Sequence, residues 1–134
     1  MLLMFVSCNK KVDDLGFRTY VIPEGEHRSG SFFNHPVNSR INFKFILDES
    51  AEYTTEIAEN QQDVNKIYGF SDFGKAHQKY SIRLGWRYVK GNVELCWLKR
   101  ENSSMSSGFI RNVNINEIYD AIIDVNTFYY VIVV

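Results

Sequence analysis

The sequence predicts an all-β fold, an antiparallel β-sandwich of jelly-roll-like type, on three observations. Apolar residues alternate strictly with polar ones in several runs, the pattern of a strand with one buried face. The runs recur at spacings of about 8–12 residues, with turn-forming residues between them, as in sandwiches and jelly rolls. At 134 residues, with 45% hydrophobic and 15% aromatic content, the chain can close one core and is too apolar to stay unfolded.

Taken in order, Phe17 to Ile22 reads as a strand that Pro23-Glu24-Gly25-Glu26 ends as a turn. Ile41, Phe43, Phe45 and Leu47 then alternate with Asn42, Lys44, Ile46 and Asp48. Asp48 to Phe73 breaks the pattern: it is polar, glutamate-rich and without alternation, and it reads as a long connection with a short helical turn around Asn60 to Tyr68. The longest alternating run places Tyr80, Ile82, Leu84, Trp86 and Tyr88 on one face and Ser81, Arg83, Gly85 and Arg87 on the other. One face is greasy; the other is basic and small.

A glycine-containing hairpin turn follows, and the returning strand runs from Val93 to Arg100. A Lys90-Gly91 loop sets Trp86 opposite Leu95, Leu84 opposite Trp97 and Arg87 opposite Glu94, whereas a Gly91-Asn92 loop pairs Trp86 with Trp97. Both registers keep the same faces together. Phe109 to Ile115, Ile118 to Val125 and Phe128 to Val134 complete the strands, with Asn126-Thr127 as the turn between the last two. The final run stops in mid-strand, and an unprotected apolar strand is an aggregation hazard. The expectation is a central strand covered on both faces, or a chain that continues beyond Val134.

The N-terminus carries an address. Met1-Leu2-Leu3-Met4-Phe5-Val6-Ser7-Cys8 is an apolar run closed by a small residue and a cysteine, the order found at the end of a bacterial lipoprotein signal peptide. Signal peptides place a basic stretch ahead of the apolar core, and no basic residue precedes Cys8, so residues 1–14 read as the remnant of a signal and a tether, Asn9-Lys10-Lys11-Val12-Asp13-Asp14; the alternative is an ordinary N-terminal strand with Cys8 a buried thiol. Residues 15–134 read as the sandwich domain. Cys8 is then the mature N-terminus and carries lipid, holding the domain outside the cytoplasm at the outer membrane or elsewhere in the cell envelope. Eight residues fall far short of the roughly 18 that span a bilayer. Anchorage would rest on acyl chains, each buried methylene contributing about 0.8 kcal/mol. Lys11-Val12-Asp13-Asp14 is similar to signals for outer-surface display.

Net charge of −1 gives no electrostatic footprint for nucleic acid. The cysteines are Cys8 and Cys96. With Cys8 lipidated, Cys96 has no partner in the chain and reads as a buried, inert small hydrophobe rather than a reactive thiol; it falls on the face opposite the tryptophan, so its burial requires both faces to be covered.

Catalytic motifs are sparse. His27, His35 and His77 are scattered, without zinc-ligand spacing. No nucleophile elbow or phosphate-cradling glycine loop occurs, and no cofactor is implied. Asp63, Asn65 and Asp72 could offer oxygens to calcium, yet their spacing fits no loop motif. Asp48, Glu49, Glu52, Glu56 and Glu59 include candidates for a carboxylate pair, which glycoside hydrolysis needs about 5–9.5 Å apart. Their density in a polar stretch is equally that of a solvated loop. For ligand binding, the candidates are Trp86, Tyr88, Trp97, Tyr129 and Tyr130, because aromatic faces stack on sugar rings. Trp86 and Tyr88 share their strand face with Ile82 and Leu84, where core belongs.

Four segments carry a family resemblance: Tyr20-Val21-Ile22-Pro23-Glu24-Gly25-Glu26-His27, Asp48-Glu49-Ser50-Ala51-Glu52-Tyr53, the run from Glu59 to Asp72, and Arg83-Leu84-Gly85-Trp86-Arg87. From about Phe17 onward the chain resembles a group of uncharacterised Bacteroidetes lipoproteins. The resemblance implies a lipidated N-terminal cysteine and further strands beyond the equivalent of Val134; it implies no activity. Where the group shows several adjacent histidines this chain has His77 alone, which weakens any metal role. The expectation is an exported, lipid-anchored β-sandwich that binds a glycan or protein as an accessory lipoprotein. The alternative is a glycan-active hydrolase using carboxylates of the 48–72 loop.

Overall fold

The computed structural model describes residue 16 and residues 39–71, 79–125 and 130–134. The chain divides into two compact units, Met1–Asn34 and His35–Val134, and every element described below belongs to the second. The strand expected over Phe17 to Ile22, its turn and the Asn126-Thr127 turn lie outside the described residues.

The fold is an all-β antiparallel sandwich. Its strands are β1 (Arg40–Phe45), β2 (Asn65–Ser71), β3 (Ser81–Val89), β4 (Asn92–Glu101), β5 (Ser104–Val113), β6 (Tyr119–Val125) and β7 (Tyr130–Val133). One sheet has the order β1-β6-β7 and the other β2-β3-β4-β5. The second sheet is a meander of sequential neighbours, and the chain crosses between sheets after β1 and again after β5.

The core forms between the two inner faces, where alternation put the apolar residues. From the four-stranded sheet come Phe70, Ile82, Leu84, Val93, Leu95 and Val113, and from the other Phe45, Ala121 and Ile123, with Ala51 beside them. Phe45 stacks on Tyr119 at 5.7 Å between ring centroids. Phe43 meets Tyr68 edge-on at 5.2 Å, an aromatic contact from one sheet to the other. The outer face of the three-stranded sheet is crossed by ion pairs, Arg40 with Asp124 and Lys44 with Asp120. Val131 and Val133 lie exposed on β7, which within the described strands pairs with β6 alone. The expectation of a last strand covered on both faces therefore fails for this outer face.

The β3–β4 hairpin takes the Lys90-Gly91 loop. Trp86 lies opposite Leu95, Leu84 opposite Trp97 and Arg87 opposite Glu94. Lys90 and Gly91 both have positive φ, 51° and 78°, as a two-residue type I′ turn requires. This register also brings the Arg87 guanidinium to 2.7 Å from the Glu94 carboxylate. The alternative loop would set Cys96 opposite Arg87 and forfeit that pair.

Two expectations need correction. The Asp48 to Phe73 connection contains β2, and the helical turn expected around Asn60 to Tyr68 is instead a 3-10 turn over Ala58–Gln62 that ends before the strand begins. The β2–β3 register shifts between Lys66 and Tyr68, so Ile67 is a bulged residue and period-2 alternation is broken mid-strand. The fifth strand begins at Ser104 rather than Phe109. Ser104-Met105-Ser106-Ser107-Gly108 has no apolar alternation; its pairing to β4 is set by the tight Asn102-Ser103 turn, both residues at positive φ.

Candidate functional site

The candidate aromatic residues were placed by strand alternation, and that same alternation decides what they touch. Trp86, Tyr88 and Trp97 share the inner face of the four-stranded sheet. Trp86 and Tyr88 are half-buried and pack against the core. The Trp86 indole Nε1 is buried with no hydrogen-bond partner, so it is not presented to a ligand oxygen. The half-buried Trp97 lies across Gly108 of β5, whose missing side chain makes room for the indole: a Cβ there would stand 2.6 Å from the ring. Tyr130 packs against the core from β7, in the other sheet. Tyr129 lies outside the described residues.

The acidic connection from 48 to 64 is ordered by its own polar contacts. Asp48 caps the 3-10 turn Glu49–Ala51 by accepting from the Ser50 amide at 3.0 Å, and Ala51 is thereby turned into the core. Gln61 ties the loop to the sheet: its Nε2 donates to the Tyr53 and Tyr88 carbonyls at 3.0 and 2.7 Å, and its Oε1 accepts from the Thr55 amide at 2.8 Å. Asn65 donates to the Tyr53 hydroxyl at 2.8 Å, and burial pushes that phenol's pKa up.

The carboxylates themselves face water. Asp48, Glu49, Glu52, Glu56, Glu59 and Asp63 are all exposed. The Asn116 amide donates to Glu49 at 2.8 Å and holds its carboxyl below the usual range, the opposite of what a general acid needs. Of the considered calcium ligands, Asp63 is exposed, Asn65 donates its Nδ2 to the Tyr53 hydroxyl and Asp72 lies outside the described residues. Among the described residues no group of three or more His, Cys, Asp or Glu side chains is placed to hold a metal ion. His27, His35, His77 and Cys8 lie outside them.

Cys96 is a free thiol, 1% exposed, on the outer face of β4 beside the Arg87–Glu94 pair. Burial raises its pKa, against a smaller opposing pull from Arg87. Because the thiolate is the reactive form, Cys96 is expected to resist a thiol reagent at pH 8 in the folded protein and to react fully in denaturant. Rapid labelling without denaturant would show that the outer face opens. The linkage runs the same way: with the folded pKa raised, stability falls as pH rises past the ordinary thiol range, where the unfolded chain ionises first.

Sequence reasoning missed one feature of the outer face, the cation cluster formed by β2, β3 and β4, because β2 itself was unrecognised. The fold and its polar surfaces define the class: an all-β antiparallel sandwich with an exposed acidic loop. No family model matches the chain, and no curated protein or solved structure matches it.

Proposed function

We propose that this protein is an exported lipoprotein, held at the cell envelope by acyl chains on Cys8, whose β-sandwich is a binding or accessory domain for a glycan or protein partner. The observation that carries the reading is Val6-Ser7-Cys8 at the end of an apolar run, followed at once by the polar stretch Asn9 to Asp14. Among the described residues no helix is long and apolar enough to cross a membrane. A hydrolase using the 48–72 carboxylates would need one carboxyl kept protonated by burial or a like charge. The exposed side chains of that loop and the ionised state favoured at Glu49 support the binding role instead.

The test is metabolic labelling with a palmitate analogue in a bacterial host, using the chain behind a complete signal peptide alongside Cys8→Ala. Wild type is expected to take label and fractionate with membranes, and Cys8→Ala to lose both. Equal labelling of the two would overturn the anchor and with it the envelope address.

A further inference from the structure

On the outer face of the four-stranded sheet, three cations fall on one diagonal across three adjacent strands. Lys66 of β2 stands opposite Gly85, Arg83 of β3 opposite Gly69 and Leu98, and Arg100 of β4 opposite Ser81. Arg83 is the middle of the three, with Lys66 and Arg100 as its diagonal neighbours on either side. Such neighbours stand about 7–8 Å apart at Cα, within the reach of long side chains. β3 passes close over Gly69: a Cβ there would run into the Ile82 carbonyl oxygen and the Arg83 Cα, and would stand 2.7 Å from the Arg83 Cγ at the base of the arginine stem. Ser71 and Ser81, directly paired on the same face, put two hydroxyl-bearing residues beside the cations.

Elsewhere four of the described cations are paired with carboxylates, while Lys79, Lys90 and Arg111 are not, among the described residues. Arg40, Lys44, Arg87 and Lys99 each meet a carboxylate within 4 Å. Lys66, Arg83 and Arg100 meet none among the described residues; the one hydrogen bond in the group runs from Arg100 Nη1 to the Ser103 carbonyl, at 3.4 Å. Arg83 and Arg100 are half-buried. Burial and the neighbouring Arg100 both disfavour the charged form of Arg83, and burial with both arginines does the same to Lys66. Partly desolvated like charges without a counter-ion destabilise a fold, and the matching anion removes that cost while a guanidinium binds it through two parallel N–H donors.

We propose that Lys66, Arg83 and Arg100 form a binding site for a single phosphate or sulfate group, free or carried as an ester on a larger ligand. Three charges on one short diagonal suit one tetrahedral oxyanion. They are too few to track a nucleic-acid backbone, in keeping with the chain's net charge of −1.

Calorimetric titration of the whole chain at constant ionic strength tests it, with inorganic phosphate, inorganic sulfate, a sugar sulfate and chloride as probes. Saturable binding of at least one oxyanion at one site per chain is expected, with none for chloride; tighter binding of the sugar sulfate than of free sulfate identifies an ester as the preferred form. Arg83→Gln and, separately, Arg100→Gln are expected to weaken binding at least tenfold, while Lys90→Gln, on the hairpin turn, leaves it unchanged. Thermal unfolding adds a second readout: Arg83→Gln should raise the anion-free melting temperature slightly and lose the anion-induced rise. No saturable response to any oxyanion, or a response unaltered in both arginine variants, overturns the site.

Discussion

Leu95→Ala is expected to lower the free energy of unfolding by about 3 kcal/mol, within the 2–5 kcal/mol that buried leucine truncations cost. Leu95 is completely buried on β4, one of the two strands with neighbours on both sides in the larger sheet. It stands opposite Trp86 on β3 and Arg111 on β5. The loss combines the transfer free energy of the removed carbons with a cavity that flanking strands cannot close, since both are fixed by backbone ladders. A melting temperature lower by roughly 10–20 °C corresponds to that loss in a domain of this size. Val131→Ala on the exposed face of β7 is the comparison, with an effect within about 0.5 kcal/mol. Urea titration at an unchanged slope measures both, and a Leu95→Ala loss below about 1 kcal/mol would contradict a closed core at this position.

Gly85→Ala should destabilise by about 2 kcal/mol or more, for a different reason. A Cβ at Gly85 would stand 2.3 Å from the Asn65 carbonyl oxygen and 2.7 Å from Leu98 Cδ1 and Val64 Cγ1. Side chains can turn away from such a clash, but the carbonyl moves only if β2 parts from β3. Overpacking costs typically about 1–3 kcal/mol, and here loosened pairing at the start of β2 adds to it. Gly91→Ala separates space from backbone strain: nothing lies within 4 Å of its Cβ position, but its φ is +78°, so a penalty of about 1–2 kcal/mol is expected from strain alone. Hydrogen exchange distinguishes the two, with Gly85→Ala accelerating exchange of β2 amides and Gly91→Ala leaving them protected. Because Gly85 pairs with Cys96 across the sheet, Gly85→Ala should also make that thiol accessible to reagent. Unchanged protection of β2 would show that the 64–65 segment yields without detaching.

Much of this was legible in the strands themselves. The greasy face of β3, the matching face of β4 and the hairpin between them follow from side-chain alternation and a glycine. The burial of Cys96 does not, because alternation puts it on the face opposite Trp97 and it is buried only because that face is covered too. Alternation is a local signal, since each strand encodes which side chains face inward. It failed at β2, where the bulge at Ile67 breaks the period, and along residues 104–108, where the backbone ladder to β4 organises a stretch of serines. The binding candidates divide in the same way. Trp86 and Tyr88 were recognisable as aromatic and as core-facing from one run, while the distribution of Trp97 and Tyr130 over two different sheets was not.

The sequence by itself determined an all-β sandwich, the facing of β3 and β4 and an acidic connection exposed to water, because those depend on residues a few positions apart. Only the tertiary structure decided the hairpin register, the glycine gaps that Arg83 and Val64 fill, and the meeting of Lys66, Arg83 and Arg100 on one diagonal. Those depend on which strands become neighbours, and that is settled by long-range packing of whole faces rather than by any local pattern.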